Sequence, residues 1–306
     1  MKKYLVNLLK FLLPTILLAI ALEITVRRIP NDYSYKADYL EQNSEEIKLL
    51  LLGNSHCYYG VNPDFLTPIS FNAAYVSQTI NYNFFIFDKY KPLMKNLKYV
   101  IFTISYPSLL SKLEDSKESW RVVNYSIYYD NNYHYLSPEN NFEILGKSFK
   151  MNISNVISYI KGKDNITCSK LGYGIDKLKA KQADLTETGK SAAKRHTKDN
   201  LNNLKGNLTF LKRLINRCSE EKVQVILFTP PAHKYYRKNL DEEQLLQMQN
   251  ECKKLENQNN NVSYYNFMES SSFGNGDFRD ADHLNYMGAG KLTRLLNEII
   301  TEKESL

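Results

Sequence analysis

The sequence predicts an α/β fold, a parallel sheet covered by helices on both faces, preceded by an apolar N-terminal helix. Three observations carry this reading. Five short apolar runs, Ile47–Leu52, Ile69–Ala73, Tyr99–Ile104, Val223–Phe228 and Val262–Phe267, end in turn-forming residues and are separated by helical patterns. The runs Lys48-Leu-Leu-Leu-Leu and Val223-Gln-Val-Ile-Leu-Phe are continuously apolar rather than alternating, as strands buried on both faces require. Tyr4 to Val26 is apolar except for Asn7, Lys10, Pro14, Thr15, Glu23 and Thr25.

That N-terminal stretch, as a helix, would reach about 34 Å, enough for a bilayer core. Two readings fit it. An uncleaved anchor is favoured because the apolar pattern continues through Leu22, Ile24 and Val26; a signal peptide cut after Ala19-Ile20-Ala21 is the alternative. Both export the body, and the anchor reading makes the chain a single-pass membrane protein with an extracytoplasmic body. Residues 1–30 are thus expected as anchor or signal and 31–306 as one domain.

Helical periodicity spans about Ser77–Met94, Phe142–Lys161, Lys198–Cys218, Asp241–Leu255 and Tyr286–Glu302, with Asp241 and Gln244 as a capping box. The segment 107–197 is too long for a crossover and is expected as a helical or irregular insertion. It holds the tyrosine-rich stretch from Tyr125 to Tyr135, read as packing of the insertion. It also holds a basic run, with ten Lys/Arg against four acids between Lys161 and Lys198. Aromatics are nearly absent there, so a solvated surface or mobile loop is expected. The formal charge of +7 comes from this run and the N-terminus. The remaining body is mildly acidic, and no nucleic-acid partner is expected.

Cys57, Cys168, Cys218 and Cys252 have no CxxC spacing and read as isolated buried thiols. His134 and His196 stand alone in the sequence. No metal-ligand spacing, P-loop or GxGxxG occurs, so neither cofactor nor metal is expected.

The first apolar run ends in Leu52-Gly53-Asn54-Ser55-His56. A serine just after a glycine at the carboxyl end of a parallel strand sits where open sheets place their sites. Gly53 permits a sharp turn, and a following helical turn offers N–H groups to an oxyanion. His56 and Cys57 are expected to point away from that serine. Far downstream comes Asp280-Ala-Asp282-His283, in which one turn can hold Asp280 and His283 together; there an imidazole could take a serine's proton while a carboxylate fixes its tautomer. Taken by itself, this stretch reads as a capped helix start, with Asp280 or Asp282 satisfying the first N–H groups of a helix beginning near Asn285. Thr229-Pro230-Pro231-Ala232-His233 follows the fourth strand on the same edge as Ser55 and reads as a rigid exit from that strand, with lining of the acceptor cleft as the alternative.

Together the two motifs resemble the SGNH/GDSL hydrolase family: Gly53-Asn54-Ser55-His56 matches the nucleophile block and Asp280-Ala-Asp-His283 the DxxH block, followed by Leu284-Asn285 and Gly288-Ala289-Gly290. The resemblance covers Ile47 to the C-terminus apart from the insertion. It implies a three-layer α/β/α, flavodoxin-like sheet, with Ser55 as nucleophile, His283 as base and Asp280 as its orienter, working through an acyl-enzyme. The N–H groups of Ser55 and of Ser77, which stands where the family has glycine, are the implied oxyanion donors. The family's third block supplies an Asn that Thr103-Ile104-Ser105-Tyr106-Pro107 lacks, leaving Ser105 or Tyr106 as replacements.

These features are similar to membrane-anchored members that modify envelope polymers. The expected function is hydrolysis or transfer of an acyl group, most simply O-acetyl, on a cell-envelope or surface polysaccharide, with a membrane acyltransferase as possible partner. The alternative is an inactive envelope protein that keeps the fold and binds glycan or such a partner, favoured by the missing Asn and opposed by the intact Ser and His.

Overall fold

A computed structural model of the chain describes residues 2–131, 137–163 and 165–305. In chain order its elements begin with α1 (Lys2–Arg28), α2 (Asp32–Asn43), β1 (Leu49–Leu52), α3 (Ser55–Tyr58), β2 (Ser70–Asn72), α4 (Ile80–Tyr90) and β3 (Tyr99–Thr103). There follow α5 (Val122–Tyr129), α6 (Glu143–Gly146), α7 (Phe149–Ile160), α8 (Leu185–His196) and α9 (Leu204–Glu220). The chain closes with β4 (Gln224–Thr229), α10 (Lys234–Arg237), α11 (Glu242–Gln258), β5 (Val262–Asn266), β6 (Phe278–Asp280), β7 (His283–Leu284) and α12 (Tyr286–Glu304). These divide into two compact units, Met1–Asp38 with Ser116–Thr167, and Tyr39–Asp115 with Cys168–Leu306. The long segment between β3 and α9 is therefore shared between them.

The second unit is built on the sheet. Strands β1 to β5 pair in parallel in the order 2-1-3-4-5, the flavodoxin-like arrangement. Register sets Leu50 between Phe71 and Val100, and Phe102 between Leu52 and Leu227, all buried. Continuous apolar strands follow from helices on both faces. Right-handed crossovers send α4, α9 and α11 to one face and α3 to the other. In agreement, α4 packs against α9, while α12 meets the segment after α3, where the Asn62 N–H donates to Thr293 Oγ1 at 3.0 Å. The direction in which strands are added reverses between β1 and β3, and sites in such sheets gather at the carboxyl edge of that switch point.

The C-terminal part of the basic run is a packed helix rather than a loop. Residues 185–196 form α8, capped by Asp184 and buried along Gly189, Ala192 and Ala193, while Lys190, Lys194 and Arg195 stay exposed. A Cβ on Gly189 would lie 2.5 Å from the Tyr235 carbonyl oxygen, so glycine lets α8 close onto α10. Small residues, not charge, dictate this packing.

The first unit joins α1 to α5, α6 and α7. The span of α1 has mean hydropathy 2.2 and is long and apolar enough to cross a membrane. At its end, the Glu23 carboxylate accepts from the N–H groups of Glu143 (3.1 Å) and Ile144 (3.0 Å), two of the orphan donors at the start of α6. Arg27 pairs with Glu23 and donates to the Asn141 carbonyl at 2.6 Å. Asp32 holds Thr167 through its N–H and hydroxyl. Of the tyrosine-rich stretch, Tyr125 packs edge-on against Tyr33 within this unit, whereas residues 132–136, including His134, lie outside the described residues.

Candidate active site

Gly53 makes the turn out of β1 possible. Its φ of +144° is a backbone conformation that favours glycine, and a Cβ would meet the Thr103 Cβ at 2.8 Å. Asn54 then ties the turn at both ends of its amide: Oδ1 accepts from the His56 N–H at 3.1 Å, capping α3, and Nδ2 donates to Ser105 Oγ at 2.8 Å. Ser55 opens α3. Its own N–H and that of Ser77 make no hydrogen bond among the described residues. Ser77 sits at φ +59°, left-handed for a residue with a side chain.

The second stretch folds as the hairpin β6–β7 with a bulge between its strands. Asp280 Oδ1 accepts from the His283 N–H at 2.8 Å and lies 2.9 Å from His283 Nδ1, while Arg279 holds its other oxygen at 3.2 Å. On the far side of the ring, Nε2 is 2.8 Å from Ser55 Oγ. Ser55, His283 and Asp280, with serine and histidine 228 positions apart in the chain, are thus assembled into one hydrogen-bonded line.

Three further residues crowd this line. Asp282, buried rather than merely capping a helix, puts Oδ2 3.4 Å from His283 Nδ1; Nδ1 already points at Asp280, so Asp282 acts by charge. His56 stacks on His283 with ring centroids 4.6 Å apart, which overturns the expectation that it points away, because the helical turn at Ser55 folds its neighbour back over the hairpin. His196 does not stand alone either. At the end of α8 it lies 4.0 Å from Asp282 and 2.8 Å from the Tyr236 hydroxyl.

The electrostatics follow from this crowding. Burial alone would lower His283, but Asp282 and Asp280 outweigh it and raise its pKa to about 9. Burial, helped by His283, pushes His56 down to about 3, and burial pushes His196 down to about 4 against the pull of Asp282. Burial would raise Asp282, yet the His283 charge holds it well below the ordinary carboxylate range. One imidazolium is therefore favoured, paired with two carboxylates and flanked by two neutral rings.

His56, Asp282 and His283 each bring one donor atom within 4.8 Å of the others. A cation there would compete with the hydrogen bonds of His283 to Ser55 and Asp280, so the set suits proton transfer better than a resident metal. Cys57 is buried within α3, and all four cysteines are free thiols.

The candidate replacements for the missing Asn fare differently. Ser105 is buried beside the turn, with its Oγ shared between Asn54 and Ser108. The Tyr106 side chain is not a replacement: its hydroxyl meets Thr197 Oγ1 at 2.9 Å and accepts from the Asp241 N–H at 3.0 Å, inside a cluster with Ala192, Ala193 and Tyr236. His233 braces the hairpin, its N–H donating to the Ala281 carbonyl at 3.0 Å, as a rigid strand exit would.

A family model matches residues 181–305, under half of the chain, and no curated protein matches it. Among solved structures the chain is similar to a candidate acylhydrolase from Bacteroides fragilis, with 12% identity over 87% of this chain and 95% of that one and a TM-score of 0.41. It is similar to a GDSL-like lipase from Bacteroides thetaiotaomicron, with 12% identity, 89% and 100% coverage and a TM-score of 0.42. A structure described as a candidate platelet activating factor from Streptococcus pneumoniae gives 10% identity, 97% and 98% coverage and a TM-score of 0.42.

Proposed function

We propose that the protein is a serine-dependent acyl-ester hydrolase or O-acyltransferase, anchored by α1 with its body outside the cytoplasm and acting on acetyl or similar esters of an envelope polysaccharide. The observation that carries the chemistry is the 2.8 Å contact between Ser55 Oγ and His283 Nε2, with Asp280 2.9 Å behind the same ring.

In this reading Ser55 Oγ attacks the ester carbonyl carbon while neutral His283 takes its proton at Nε2. The Ser55 and Ser77 N–H groups receive the oxyanion of the tetrahedral intermediate. The carbon–oxygen bond to the leaving alcohol then breaks, His283 returns the proton to that oxygen, and the acyl group stays on Ser55. Water or a sugar hydroxyl, deprotonated by His283, completes hydrolysis or transfer. Asp280 keeps Nδ1 protonated so that Nε2 faces the serine. Lack of the family's third donor is expected to slow the step by about 10²- to 10³-fold relative to a full set.

The test uses the full chain in detergent with p-nitrophenyl acetate. Release of p-nitrophenol should be lost in Ser55→Ala, and intact mass should find an acetyl adduct in the parent protein alone. Acceptor oligosaccharide discharging that adduct faster than water identifies a transferase. Release unchanged by Ser55→Ala would instead favour the glycan-binding reading that the missing donor suggests.

A further inference from the structure

Helix α7 turns part of its apolar stripe outward. Phe149, Ile153, Val156, Ile157 and Ile160 share that stripe at spacings of three and four residues; Ile153 and Val156 are half-buried, yet Phe149 is 72%, Ile157 46% and Ile160 77% exposed. The inward side carries Asn152, buried and donating to the carbonyls of Glu143 at 3.2 Å and Lys147 at 3.4 Å, with half-buried Asn155 and Ser158. Beside it, Leu145 of α6 and the preceding Phe142 are also exposed. A helix that buries amides and offers isoleucines to water is sited for another medium.

Within this unit the medium can be identified. Both α6 and α7 pack against α1, and α6 is fastened to its last turns by Glu23 and Arg27, at the end of the apolar span. Lys150, Lys161 and Lys163, all exposed, flank the apolar stripe. An apolar stripe, a basic margin and attachment at the mouth of a spanning helix are the features of a helix lying in the headgroup region.

We infer that α6 and α7 form a membrane-interface foot, with Phe149, Ile157 and Ile160 inserted among the acyl chains beside the end of α1 and the lysines on anionic headgroups. The inference rests on the anchor reading of α1 and extends it from a single span to a seat that fixes how this unit meets the bilayer.

The four native cysteines are buried, so an introduced surface cysteine can be labelled selectively. Full-length protein carrying Ile157→Cys or Ile160→Cys with an environment-sensitive fluorophore is reconstituted into phosphatidylcholine–phosphatidylglycerol vesicles containing nitroxides at shallow or deep acyl positions. Leu17→Cys on α1 reports the span, and Lys253→Cys on the solvent face of α11 reports water. The α7 labels should shift to the blue and lose intensity most with the shallow nitroxide, while the Lys253→Cys label stays unquenched. Two results overturn the inference: α7 labels that behave like Lys253→Cys, or labels that are shielded yet insensitive to both nitroxides, which would mean that protein covers the stripe. Quenching at Leu17→Cys alone leaves the anchor standing while the foot falls, whereas no quenching at either site removes both.

Discussion

In the sheet unit, Leu49 to Leu52 are completely buried and the lysines of α8 face water, whereas on α7 of the other unit Asn152 is inside and Ile157 and Ile160 are outside. Leucine and isoleucine obey the same transfer energetics in both, about 25 cal/mol per Å² of apolar area removed from water. The difference is what lies beyond the surface. One unit solves the problem of water on every side and sets the buried Asp282 carboxylate beside His283. The other leaves its apolar area for a non-aqueous neighbour. Chemistry and address are thus separable, and separate substitutions should dissect them.

The largest expected effect is on chemistry. Ser55→Ala should lower esterase kcat/KM by about 10³-fold or more and leave sedimentation with vesicles unchanged. Replacing Phe149, Ile157 and Ile160 together by serine should do the reverse, keeping p-nitrophenyl acetate turnover and weakening vesicle contact. If both properties fell together in either variant, the division of labour between the units would be wrong. Next in size is Asp280→Asn, expected to cost about 10²- to 10⁴-fold in kcat, because an amide no longer dictates which nitrogen of His283 carries the proton.

Stability should divide along the same line. Leu51 is fully buried between two neighbouring strands, so Leu51→Ala should cost about 2–5 kcal/mol in chemical denaturation. The same kind of truncation at Ile157, which is already exposed, should stay within about 0.5 kcal/mol in lipid-free detergent solution. A comparable loss at both positions would show that the Ile157 stripe is a core face after all.

How much of this could be read beforehand follows the physics of each signal. The strands β1 and β4 were legible because strands covered on both faces are continuously apolar, and Ser55, Asp280 and His283 were legible through the resemblance of two distant motifs taken together, since either motif alone reads equally as a helix cap. Asp282 and His196 were not, since each is one polar residue on a separate element. Their meeting depends on α8 docking through Gly189, Ala192 and Ala193, and that small-residue spacing was the available sign of close packing. The stacking of His56 depends on the helical turn at Ser55, which alternation in sequence does not report. For α7, periodicity located an apolar face correctly. It carries no information on whether that face looks toward protein or away from it, so the seat of the stripe required coordinates.

The smallest effect expected is also the most discriminating for the site. Among the influences that raise His283, the charge of Asp282 is the largest, ahead of the hydrogen bond that its ring donates to Asp280. Catalysis needs the neutral imidazole, so activity should rise with pH and its ascending limb should inflect near 9. Asp282→Asn removes that charge while keeping volume. The limb should move to lower pH, raising the relative rate at pH 7 and lowering the plateau, since a weaker base accepts the serine proton less readily. Linkage gives a second readout with the same sign. A histidine whose folded pKa lies above the unfolded 6.5 adds stability that is full below 6.5 and disappears as pH climbs through about 9. The parent protein should therefore lose stability across that interval, and Asp282→Asn should flatten the loss. A limb that stays in place, with stability equally pH-dependent in both proteins, would return the control of His283 to Asp280 alone and reduce Asp282 to a bystander of the hairpin.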